Sequence, residues 1–318
     1  MSVPVPPPPA VAAPAAPTPA APRLTELPAP GEQRWANGLF VAPFLVLYLL
    51  LLVVPLLYGW WLSLRNADML AGTSRFVGLG NYFELWRDSI FLGAVRNTVV
   101  FVVMTTPVFV ILGLALALAL NRPGMLAAAL RAIFFGASVL SVTVVTLVWH
   151  LVMMPDHGLF ANLWRDLGGS PVQPLSIEGL SLVVVAVVTV WWIIGFPMML
   201  FLAGLQQIPR ELYEAAALDN ASRWRTFVAI TLPALKRTVA LVFVLEVVLQ
   251  FQLFGQAWFL TLGGPNNSSR PIVQFIYETG FREWRLGYAA ASAQVLFALM
   301  LVGILLQMWL ARRREVSP

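Results

Sequence analysis

Six stretches of this chain are apolar for longer than a soluble fold requires: Leu39–Leu64, Val95–Leu120, Ala132–Met154, Leu182–Leu205, Val239–Leu262 and Leu286–Leu310. About 20 helical residues cross the hydrocarbon core of a bilayer. No water reaches the backbone there, so a crossing segment must satisfy its own N–H and C=O groups. The runs are long and do not alternate, which argues for helices over a barrel. The fold class expected is an all-α membrane protein with about six transmembrane helices. The charged fraction, 11% against about a quarter in soluble domains, leaves little polar surface for any other arrangement.

Residues 1–34 are rich in Pro and Ala, as in Pro6-Pro7-Pro8-Pro9. Proline blocks helix interiors and nothing here can bury a core, so a disordered tail is expected, followed by a transmembrane domain over 35–318. With no cysteine, disulfides and thiolate sites are excluded. The single lysine, Lys236, does not follow a glycine-rich loop, so a Walker A motif is missing. No catalytic residue, metal or cofactor is expected. The net charge of +5 does not point to nucleic acid, because the arginines flank the apolar runs and form no stripe. With the N-terminus inside, the basic residues divide about twelve inside to eight outside, and both termini fall in the cytoplasm.

Between the fourth and fifth runs the chain turns polar: Glu214-Ala215-Ala216-Ala217-Leu218-Asp219-Asn220-Ala221. Pro209 suits a helix start, and Glu211 and Glu214 near that end favour the helix dipole. The pattern predicts a helix over Arg210–Leu218, a turn at Asp219-Asn220, and a second helix over Arg223–Ile230 capped by Ser222 or Asp219. The three alanines make a smooth face that another surface can approach closely.

This run, with LAGLQQIP before it and FVAITLPAL after it, resembles the EAA loop of membrane subunits of binding-protein-dependent ABC importers. Phe76-Val77-Gly78-Leu79-Gly80-Asn81-Tyr82, Asn97-Thr98 and Leu262-Gly263-Gly264-Pro265 resemble elements of the sugar and glycerol-phosphate branch, in particular the first permease subunit of maltose and lactose systems. The resemblance implies a type I importer permease of MetI-like architecture in the bacterial cytoplasmic membrane. It implies as partners a second permease, two ATPase subunits and an external substrate-binding protein. It also implies that a cytoplasmic loop at about 206–237 docks on the ATPase through Glu214, Ala215, Ala216, Asp219, Asn220 and Ala221. Asn220 stands where the family has glycine; Asn is the residue next most willing to adopt positive φ. An amino-acid or peptide permease, and an ion-coupled secondary transporter using Glu246, stay open as alternatives.

Glu246 is the one acid inside an apolar run. It lies nine residues past Arg237, or roughly 14 Å along a helix, against about 15 Å for half the hydrocarbon. A charge at that depth is costly unless it faces a cavity or a partner. Gln250 follows one helical turn on and Phe254 one turn further, a polar and aromatic stripe suited to a hydroxylated ligand. Contact with a second permease is the other use for such a pair. Trp149, His150, Trp191, Trp192 and Gln294 read as packing or interfacial residues. Pro55, Pro107 and Gly195-Phe196-Pro197 are expected to bend their helices.

Overall fold

The computed structural model describes residues 41–313 apart from 69, 156 and 170–172. The Pro/Ala-rich stretch 1–34 lies outside the described residues. The chain divides into two compact units, residues 1–56 and 57–318. Residues 41–56 of the first are helical and opened almost entirely outward, and the helix α1 runs over Val41–Ser63. A π turn at Leu49–Val53 stands just ahead of Pro55. Proline has no N–H to give the carbonyl four residues back, and a wider turn takes up that defect. The pattern recurs at Phe227–Thr231, ahead of Pro233.

After the end of α1 the second unit continues into an antiparallel hairpin, β1 (Arg65–Asp68) and β2 (Thr73–Phe76), with Arg65 opposite Phe76. Among the described residues this hairpin is the departure from an all-helical chain. A short helix, α2 (Gly80–Leu85), leads to α3 (Ser89–Leu120), which runs unbroken through Pro107. It starts ahead of the apolar run because Asp88 caps it, Oδ1 accepting from the Ile90 N–H at 2.8 Å and the Phe91 N–H at 3.2 Å.

The third expected span is two helices, α4 (Met125–Ala137) and α5 (Val142–Val152), bent by 99°. The turn between them has its own cap, Ser141 Oγ accepting from the Val144 N–H. After α6 (Leu159–Asp166) come α7 (Leu180–Ile193) and α8 (Gly195–Gln206), bent by 45° at the expected Gly-Phe-Pro. A methyl built on Gly195 would overlap the Phe134 carbonyl oxygen, so α4 lies backbone to backbone on this break. Next are α9 (Arg210–Leu218), α10 (Arg223–Ala234) and α11 (Lys236–Phe251), the last two meeting at 65°. Then follow α12 (Gly255–Thr261), α13 (Ile272–Tyr277) and α14 (Leu286–Arg313). Among the described residues, three helices and three bent pairs are thus long and apolar enough, by length and composition, to cross a bilayer, up to six spans.

Helix α3 is the hub, packed on α7, α8, α11 and α13. One core around it holds Phe101, Val145, Val185 and Leu253; another holds Ala117, Met198, Phe201 and Val242. Two buried hydroxyls in these helices satisfy themselves locally: Thr105 donates to the Phe101 carbonyl and Thr189 to the Val185 carbonyl, both at 2.7 Å.

The sequence motifs at the span mouths and in the loops are staples. Gly78 has φ +55°, and Asn81, buried, donates to the carbonyls of Ser63 and Arg65 at 2.7 and 2.9 Å. Asn97 donates to the carbonyls of Asn267 and Arg270 at 2.7 and 3.0 Å, while Thr98 Oγ1 accepts from the Ile272 N–H. Asn97 and Thr98 thereby tie the segment that follows Leu262-Gly263-Gly264-Pro265 to the start of α3.

Candidate functional site

The polar elbow is α9, a two-residue turn and α10. Asp219 and Asn220 close α9 through N–H bonds to the carbonyls of Ala215 and Ala217, at 3.0 and 3.1 Å, and the Ala221 N–H reaches Ala216 at 2.9 Å. Asn220 has φ +50°, the left-handed conformation that explains why glycine or asparagine is suited to this position. Ser222 caps α10, its Oγ accepting from the Arg225 N–H at 3.3 Å. Tyr213 reaches back from α9 to Thr231, OH to Oγ1 at 3.1 Å, and cross-braces the two arms.

Glu214, Ala215, Asp219 and Asn220 are exposed and Ala221 is half-buried. Ala216 departs from the expected smooth outer face: it is buried, its methyl turned against the protein. The outward surface of α9 is formed instead by Glu214, Ala215, Ala217 and Leu218. Sequence reasoning also passed over two side chains. Leu218 is 84% exposed and Trp224 72% exposed, large apolar groups standing in an otherwise charged elbow. Trp224 sits between Arg223 and Arg225, and an aromatic placed among charges on a loop was the available signal.

Residues 77–316 match the family described as the binding-protein-dependent transport system inner membrane component. The chain belongs to that family. It is 32% identical over 286 residues to the lactose transport system permease protein LacF of Rhizobium radiobacter, covering 88% of this chain and 95% of that one. It is also 32% identical over 284 residues to the multiple sugar-binding transport system permease protein MsmF of Streptococcus mutans, covering 89% and 97%. Among solved structures it is similar to a chain of a bacterial alginate ABC transporter in complex with an alginate pentasaccharide-bound periplasmic protein. The TM-score is 0.78 at 21% identity, over 90% of this chain and 97% of that one; this likeness is one of fold. As a member of the inner membrane component family, the chain is a transport permease with the MetI-like fold.

The second candidate region of this permease lies in α11. Glu246 is fully buried and Gln250 nearly so. Gln250 Nε2 donates to Glu246 Oε2 at 2.8 Å, as the one-turn spacing predicts. Glu246 Oε1 meets no donor among the described residues. The third member of the expected stripe does not join them. The helix ends at Phe251, the backbone breaks over Gln252–Phe254, and Phe254 (φ −148°, ψ −69°) opens α12. Its ring instead lies 5.8 Å from Trp258 and 5.4 Å from Tyr277, centroid to centroid. The expected continuous span Val239–Leu262 is thus corrected to a helix, a break and a second short helix. The residues around the break, Phe251 and Leu253, are buried in two different apolar clusters.

Elsewhere the aromatic residues read as packing groups do pack. Trp149 and Trp191 meet edge to face at 5.6 Å, and Trp192 Nε1 donates to the Leu140 carbonyl at 3.2 Å, in the turn between α4 and α5.

Proposed function

We propose that this permease carries a carbohydrate or related polyol inward, paired with a second, related permease and driven by ATP hydrolysis on two separate ATPase subunits. An external binding protein delivers the solute. On this reading the loop 206–237 and both termini lie in the cytoplasm, and the chain itself catalyses nothing. The sugar assignment draws its support from the names of the relatives LacF and MsmF.

The observation that carries the coupling role is the elbow itself. A chain this apolar keeps a capped, cross-braced helix–turn–helix at its surface with Leu218 and Trp224 projecting from it. Exposed apolar anchors within a polar rim are the arrangement of a protein–protein contact. Glu214, Ala215, Asp219, Asn220 and Ala221 form the rest of the docking element. The motor supplies the free energy; the permease converts elbow movement into alternating access and binds solute differently in its two states.

Glu246 and Gln250 serve the solute path. A buried carboxyl with one oxygen satisfied and one free can accept a hydrogen bond from a hydroxyl, and Phe254, packed apart from that pair with Trp258 and Tyr277, offers an apolar face to a sugar ring further along the path. The test is reconstitution of the complete transporter in proteoliposomes with labelled oligosaccharide. Uptake should require ATP and binding protein together. Uptake that continues after ATP depletion, with ion gradients clamped, overturns the reading in favour of an ion-coupled carrier.

A further inference from the structure

A pocket of about 560 Å3 opens beside the first turn of α9, and three guanidinium groups line it: Arg122, Arg131 and Arg210. Among the described residues no carboxylate lies within ion-pair range of any of the three. Arg131 spends one donor on the Leu120 carbonyl at 2.9 Å, the open C-terminal end of α3, and keeps the others. Arg122 and Arg210 are exposed and Arg131 half-buried, so an anion entering the cavity from outside meets all three.

The position of the pocket selects the anion. Leu120 ends a 32-residue apolar helix, and Arg122 stands in the turn that follows. Immediately beyond, Met125 and Leu126 open α4 with 89% and 75% exposure. A basic cavity therefore sits at the level where apolar surface stops, with bare apolar side chains beside it. That is the layout of a headgroup site rather than of a site for a solute in water.

We infer that this pocket binds the phosphate of an anionic phospholipid, with the acyl chains lying along Met125 and Leu126. Two of the arginines belong to the α3–α4 connection and the third to α9. A phosphate held by all three ties the elbow to the membrane scaffold. That consequence rests on the coupling role proposed for α9; the binding itself does not.

The experiment places the full-length protein in phosphatidylcholine nanodiscs with and without phosphatidylglycerol and reads retained lipid by native mass spectrometry. The wild type should retain phosphatidylglycerol in preference to phosphatidylcholine. The Arg122→Gln/Arg210→Gln double variant should lose that preference by about tenfold or more, while Arg75→Gln on the hairpin should keep it. Arg131 is left intact because it caps α3. Equal retention by the double variant overturns the site. Displacement of the lipid by millimolar inorganic phosphate identifies a free-anion site and overturns the lipid assignment. So does a double variant that loses ATPase subunits while its lipid retention is unchanged, because the arginines then face a protein. Retention is measured without transport, so a failed uptake assay and a failed lipid site are separate outcomes.

Discussion

The α9–α10 elbow and the middle of α11 both put polar residues into a very apolar chain, under opposite conditions. In the elbow, Glu214 and Asp219 face outward and cost the fold nothing to keep. In α11, Glu246 and Gln250 are buried among apolar side chains, and one carboxyl oxygen is left without a donor. Thr105 and Thr189, also buried, bond carbonyls of their own helices. Exposed polar side chains are free to serve a partner, whereas a buried carboxyl with an unmet oxygen costs stability and is expected where it serves transport or assembly.

The contrast is broken or sharpened by substitution. The largest effect is expected from Glu214→Lys combined with Asp219→Lys. ATP-driven uptake and co-purification of the ATPase should both be lost, while thermal unfolding stays within about 0.5 kcal/mol of wild type, as for surface changes in general. A variant that unfolds would make the elbow a structural element and erase the distinction. Next is Gln250→Leu, which removes the sole donor to a buried carboxyl and should destabilise the protein by about 3 kcal/mol. Adding Glu246→Leu should recover most of that stability, since replacing both partners by apolar groups can be nearly neutral. Uptake should stay impaired in the double variant; normal uptake and substrate range would reject a place in the solute path. Ser222→Ala should cost about 1 kcal/mol in the elbow, read as faster amide exchange at Arg225. The smallest effect belongs to Asn220→Gly, within a few tenths of a kcal/mol, whereas Asn220→Val should cost about 1–2 kcal/mol because its φ is positive.

Much of this was legible in the sequence where local chemistry decides. The bounds of α9, its turn and the Ser222 cap follow from residues within a few positions of each other, and the structure has them as expected. The Glu246–Gln250 bond follows from helical spacing alone. The breaks at Ser138–Ser141 and Gln252–Phe254 were not anticipated: no proline stands at either, and Gly136 and Gly255 lie beside them rather than within them. They are set by what each half packs against, information held in distant helices. Pro107 lies inside a helix that runs continuously from Ser89 to Leu120. Ala216 turned inward for the same kind of reason: an alanine triplet reads as uniform until the rest of the chain covers one face of it.

Gly195 sets a mechanical limit. Because the Phe134 carbonyl occupies the space a side chain would need there, the crossing of α4 over the α7–α8 joint can slide or separate but cannot tighten. The joint thus has a stop on one side only, and any rocking of this region must slide that crossing or ease it apart.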